Sequence, residues 1–105
     1  MTSPVTILAP IKLVKGKNET DLLLASNRFQ KDFASDQAGI LRRELVKTGE
    51  GEYIDIVQFR SIEDAKDVMK KELESEACHA FFSIMEMEGA DDPEIKLLPS
   101  LVTYT

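Results

Sequence analysis

The sequence holds one histidine, one cysteine and no tryptophan, so few side chains can do chemistry at neutral pH. His79 is the only residue whose ordinary pKa lies near 7. As a general base it would take a proton from a phenol or quinol and make that molecule easier for O₂ to oxidise. Its neighbours at helical spacing are Ser75, Glu76, Phe82 and Ser83. That face is mostly polar, and a surface histidine beside Glu76 is the competing reading. Cys78 is adjacent in sequence but about 100° away around a helix, so the two form no nucleophile–base pair. It shares its face with Phe81, Phe82 and Met85, which predicts an inert buried thiol.

Further candidates lie in extended segments. Arg42, Arg43, Glu44 and Asp55 fall in two strands that read as central to a sheet, where an unpaired buried charge is costly. One Arg can bind a carboxylate or an enolate. The competing reading is an ion pair across the hairpin or at a subunit interface. Arg43 and Tyr53 are the candidates to stabilise an enolate formed as a proton leaves. Tyr104 can also donate to a ligand carbonyl, although strand tyrosines commonly pack with a wet hydroxyl. Gln58 points the same way as Ile54 and Ile56, a polar group on an apolar face that can orient a ligand or satisfy backbone at a subunit seam. One His and one Cys cannot supply the three or four protein ligands of a zinc site. The acids Glu86, Glu88, Asp91 and Asp92 lack the ligand order and central Gly of a calcium loop. No metal is expected.

The elements that must position these residues follow from periodicity. Residues 5–14 alternate, with Val5, Ile7, Ala9, Ile11 and Leu13 on one parity, and read as a strand. Pro10 predicts an edge position or a bulge. Asn18 caps a first helix with Asp21 three residues on. Its stripe is Leu22, Ala25, Phe29 and Phe33, and its end is expected near Asp36. Strands at 40–47 and 52–60 flank the Gly-containing turn 48–51. Ser61 caps a second helix with a buried stripe of Ala65, Val68, Met69 and Leu73. Ser75 caps a short third helix over 76–87, residues 89–93 form a loop, and 95–104 read as a last strand. Pro99 places that strand at an edge or a bulge. The order is the α+β, ferredoxin-like βαββαβ pattern with an extra short helix and a four-stranded antiparallel sheet, as one domain over 1–105.

Neither face of that sheet reads as purely polar. Leu8, Pro10 and Val14, Ile54 and Ile56, and Leu97 or Leu101 against Leu98 or Val102 leave apolar residues on both parities. A solvated antiparallel face should alternate to polar, so a homodimer through the sheet face is expected. The alternative is cover by the extra helix and loop of the same chain. A net charge of −6 argues against nucleic acid, which requires many Lys and Arg facing phosphates. No apolar run approaches the ~20 residues of a membrane span. The start lacks signal-peptide character, and a lone Cys forms no internal disulfide, so a cytoplasmic location is expected.

The run Phe59-Arg60-Ser61-Ile62-Glu63-Asp64-Ala65 places a strand-ending aromatic before a Ser-capped helix with an acidic first turn. Ser75-Glu76-Ala77-Cys78-His79-Ala80-Phe81 follows it. In these segments and in element order along nearly its whole length, the chain resembles the antibiotic biosynthesis monooxygenase-like proteins of the dimeric α+β barrel superfamily. The resemblance implies a homodimer with face-to-face sheets and a small cavity in each subunit between sheet and helices. Some relatives oxidise aromatic polyketides or quinols with O₂ and no cofactor, some degrade haem, and others have no known activity. It therefore implies a cofactor-independent monooxygenase acting on a small aromatic or quinone-like molecule; Gln58, Phe59 and Tyr104 are the candidate ligand contacts of this chain. Phe59 stands where many relatives carry Trp, and Val68 where many carry His. Haem-degrading members need an axial His nearer Phe82 and an Asn on the first strand; this chain has neither, so no cofactor is expected. The alternative is a non-catalytic small-molecule-binding or interaction module on the same scaffold. A cavity lined by two or more polar side chains favours the enzyme, and a solid apolar core favours the module.

Overall fold

The computed structural model describes residues 4–86 and 96–104. Its elements run β1 (Val5–Lys12), α1 (Glu19–Asp32), a 3₁₀ turn (Ala34–Asp36), β2 (Ile40–Gly49), β3 (Glu52–Phe59), α2 (Ile62–Glu72), α3 (Glu76–Ser83) and β4 (Lys96–Pro99). The strands form one antiparallel sheet ordered β2-β3-β1-β4, the ferredoxin-like arrangement. Polar caps start each helix. Asn18 accepts from the Asp21 N–H while the Asp21 carboxylate accepts from the Asn18 N–H, both at 3.0 Å, a reciprocal capping box. Ser61 Oγ accepts from Asp64 N at 3.1 Å and Ser75 Oγ from Cys78 N at 3.3 Å. The β2–β3 hairpin turns at Gly51, whose φ of +75° favours a residue without a Cβ. Gly39 is fixed by crowding, because a Cβ there would lie 2.7 Å from Asp64 Cβ.

Pairing sets which side chains meet. Val5, Ile7, Ala9 and Ile11 lie opposite Phe59, Val57, Asp55 and Tyr53, and Arg43 and Leu45 lie opposite Val57 and Asp55. This parity faces the helices. It packs on Leu22, Phe29, Phe33, Ala65, Val68, Cys78 and Phe81, each large apolar side chain contributing about 1.5–3 kcal/mol on burial. The other parity presents Leu8, Pro10, Val46, Ile54, Ile56, Gln58 and Leu98 away from the helices.

Several boundaries differ from the sequence reading. Strand β1 ends at Lys12, and Leu13 instead bridges Met85. Helix α3 stops at Ser83 because the next residues turn into that bridge. Val14 N–H donates to Ile84 O at 3.0 Å, and Glu86 N–H donates to Lys12 O at 2.7 Å. Strand β4 covers only Lys96–Pro99, and residues 100–104 are not strand. The predicted loop at 89–93 lies outside the described residues. Strands β1 and β3 are central, but β2 is an edge strand, contrary to the reading that placed Arg42, Arg43 and Glu44 in a central strand. Pro10 is on a central strand, yet β4 pairs only with Val5–Leu8. Lys12 O and Val14 N both face the Ile84–Glu86 side, and strand alternation turns Pro10 N the same way. The missing N–H therefore falls between the bridge and β4, where no described residue pairs.

Candidate functional site

A half-open cavity begins between the helix-facing side of the sheet and α2 and α3 and reaches the other sheet face, about 950 Å³ in all, within the range of small-molecule sites. Its walls are apolar and aromatic: Ile7, Val57, Phe59, Val68, Phe81 and Phe82. Asp55 and Glu72 supply carboxyls to it, and Tyr53 adds its ring. Ala9 lies opposite Asp55 on β1, so a methyl group is all that stands beside the carboxylate there. The lining continues past the unpaired stretch of β1 onto Pro10 and Ile54 on the other sheet face, and ends among Lys12, Glu52 and Glu86.

Asp55 is held by Arg43. Arg43 Nε donates to both its oxygens at 3.1 and 3.0 Å, and both side chains are only 8% exposed. One Arg43 terminal nitrogen donates to Ser26 Oγ at 2.7 Å. The guanidinium carbon also lies 4.7 Å from the Phe29 ring centre and 5.3 Å from that of Phe81, a cation–π contact on two sides. Burial raises the Asp55 pKa, and the Arg43 charge opposes that rise. Arg42 pairs with Glu44 at 2.8 Å near the surface. The ion-pair reading of these strand charges is the one the geometry realises. Arg43 is not a cavity lining residue, and its donors are engaged.

Glu72, the last residue of α2, was not singled out from the sequence. Burial first, and then the Asp55 charge, push its pKa up to about 7, with the Arg43 charge opposing. A carboxyl poised there can exchange a proton with a ligand at neutral pH. The signal was present: Ala65, Val68, Met69 and Glu72 stand at i, i+3, i+4 and i+7. The sequence reading closes the stripe with Leu73 instead. Leu73 is 73% exposed, because it is the cap residue where α2 ends. Ser26 was missed similarly, on the buried face of α1 where Ala25 had been expected and is only half-buried.

The other candidates scatter. His79 is exposed on α3, with Nε2 2.7 Å from Leu73 O, and is not in the cavity wall. Cys78 is fully buried, and burial raises its pKa. The Tyr53 ring lines the cavity, but its hydroxyl donates to Glu19 Oε1 at 3.2 Å beside Lys47. Phe59 is buried and lines the cavity. Gln58 is on the opposite sheet face, donating to Thr103 Oγ1 at 3.0 Å. Tyr104 is 86% exposed. The structure thus brings together Tyr53 and Phe59 with Asp55 and Glu72, and leaves His79, Gln58 and Tyr104 elsewhere. Among the described residues no cluster of His, Cys, Asp and Glu could hold a metal ion, and no helix is long and apolar enough to cross a membrane.

The fold is that of the antibiotic biosynthesis monooxygenase-like proteins. SnoaB from Streptomyces nogalater, a cofactor-independent oxygenase, superposes with a TM-score of 0.74 at 14% identity, over 96% of each chain. A protein from Bordetella bronchiseptica described as an antibiotic biosynthesis monooxygenase gives 0.73 at 14% identity, over 95% of this chain and 99% of its own. One so described from Caulobacter crescentus gives 0.68 at 18% identity, over 96% and 92%. No protein-family model matches the sequence, and no curated protein is significantly similar to it.

Proposed function

We propose that this protein is a cofactor-independent oxygenase acting on a small hydroxyaromatic or quinol-like molecule. The observation that carries this reading is the aromatic-walled cavity with Glu72 and Asp55 converging on it. The fold shared with SnoaB supports it. Glu72 as carboxylate takes the hydroxyl proton of the substrate. The resulting aryloxide is electron-rich and passes electrons to O₂, which is the oxidant. At a ring methylene the balance is CH₂ + O₂ → C=O + H₂O, with one oxygen atom entering the substrate and the other leaving as water. Asp55 stays fixed by Arg43, and the apolar walls lower the polarity around the reacting pair.

The test is O₂ consumption with aromatic quinols and anthrone-like substrates. Glu72→Gln should lower turnover by about 10²–10⁴-fold, the usual weight of a general base. His79→Ala should retain full turnover. The wild-type rate should rise with pH through about 7 as Glu72 ionises, and then level off. Full activity in Glu72→Gln would remove the proposed base. A second reading, a non-catalytic ligand-binding module, is favoured by Arg43 being engaged with Asp55. It predicts ligand binding with no O₂ uptake at all.

The reading includes a homodimer. Leu8, Val46, Ile54, Ile56 and Leu98 share the sheet face away from the helices, and two such faces can bury one another. Light scattering should report about twice 11.8 kDa, and Ile56→Asp should shift the mass to the monomer. A wild-type monomer at every concentration would refute the assembly.

A further inference from the structure

The charges around the cavity are one-sided. Asp55, Glu72, Glu52 and Glu86 all line it, and among the described residues Lys12 is the sole lining cation. Lys12 is at the outer end, 3.7 Å from Glu86 and largely exposed. The buried cation nearby, Arg43, is bound to Asp55 and Ser26 and is not itself a lining residue. Lys47 is occupied by Glu19 at 3.2 Å. An aromatic acid entering this cavity would bring its carboxylate into an interior whose charged groups are Glu72 and the Asp55–Arg43 pair, with no cation free to meet it. Both the like-charge repulsion and the lost hydration then count against binding. An uncharged hydroxyaromatic meets neither cost. An amine-bearing one gains attraction from the unpaired Glu72 carboxylate.

We infer that Glu72 and Asp55 act as a charge filter, so that the molecule this cavity takes is an uncharged or amine-bearing hydroxyaromatic and not an aromatic acid. This rests on the reading of the cavity as the substrate site and sharpens its substrate class. It assigns Asp55 and Glu72 a specificity role that does not depend on turnover. The titratable and charged groups near Glu72 are Asp55, which favours its neutral form, Arg43, which opposes it, and the buried thiol of Cys78 on α3. At pH 8 the Glu72 carboxylate predominates and the filter is at its strongest.

The experiment is equilibrium binding at pH 8 without O₂, using three naphthols on one ring skeleton, the second and third matched in size: 2-naphthol, 6-hydroxy-2-naphthoate and 6-(aminomethyl)-2-naphthol. Their fluorescence is readable because the chain has no tryptophan. The naphthoate should bind at least tenfold more weakly than 2-naphthol, and the aminomethyl compound at least as tightly. In Glu72→Gln, checked for folding by circular dichroism, the ratio of 2-naphthol to naphthoate affinity should shrink several-fold, whatever the change in 2-naphthol affinity itself. The wild-type ranking needs no variant. A naphthoate that binds as well as 2-naphthol overturns the charge filter and leaves the oxygenase reading standing. Failure of all three to bind at millimolar concentration overturns both.

Discussion

Glu72→Gln will be more stable than the wild type at pH 8, and the difference will shrink towards zero near pH 4. In the unfolded chain Glu72 titrates near its ordinary 4.5, whereas in the folded protein it titrates at about 7. A group whose folded pKa is raised contributes stability that is complete below the unfolded value and is lost as pH rises through the folded one. The window is therefore about pH 4.5 to 7. Each unit is worth about 1.4 kcal/mol, so the loss across the window is on the order of 3 kcal/mol. Gln keeps the size and polarity and cannot ionise, so it escapes that loss. Urea melts of both proteins from pH 4 to 9 measure the difference directly, and its growth isolates Glu72 from every other titrating group. A difference that is flat across the range would mean that Glu72 is solvated like a surface carboxylate, and it would cease to be a candidate base. The stability cost and the catalytic role have one cause. The burial that makes the carboxylate expensive is what brings its pKa to neutrality.

Most of the fold was legible because its signals are local. Unbroken alternation from Val5 to Leu13, the caps Asn18, Ser61 and Ser75, and the glycines around Glu50 each act within a few residues. The misplaced boundaries are set by partners distant in sequence. Helix α3 would continue by periodicity, yet Val14 and Lys12 pull residues 84–86 into a bridge. Strand β4 stops at Pro99, and Ser100 N–H goes to Pro4 O at 2.9 Å. The site was less legible for a different reason. Histidine draws attention through its ordinary pKa, but a protein can place a carboxylate at the same value by burial. That depends on which face of α2 closes on the sheet, and the choice between Glu72 and Leu73 turned on where the helix ends. Arg43 was recognised as a residue needing a partner. Which partner it found depended on the register that puts Asp55 diagonally across from it and on Ser26 arriving from α1.

Arg43→Met is expected to destabilise the protein by about 3–5 kcal/mol, the usual result of stripping one member from a buried ion pair. Asp55 would keep its burial and lose the donor to both its oxygens. Ser26 would lose its 2.7 Å bond, and Phe29 and Phe81 the cation between them. For a domain of this size such a loss is a large share of a total stability of about 5–15 kcal/mol. Asp55→Leu alone should be costly for the converse reason, because the guanidinium would be the unpaired charge. The double variant Arg43→Met/Asp55→Leu should recover much of the loss, since it leaves neither charge behind and replaces both side chains with apolar ones. Denaturant melts of the four proteins close the cycle, and a coupling energy near zero would show that the pair is held no more firmly than a surface contact. The double variant also reports on Glu72. Burial is the main cause of its raised pKa, and it remains when the pair is gone. The Asp55 charge, the larger of the two electrostatic influences, and the opposing Arg43 charge disappear together. The Glu72 titration followed by carbon-13 NMR should therefore move down in the double variant, yet stay above the ordinary glutamate value. If it fell all the way to that value, the charge of Asp55 rather than the dryness of the cavity would be what sets the proton affinity of the site.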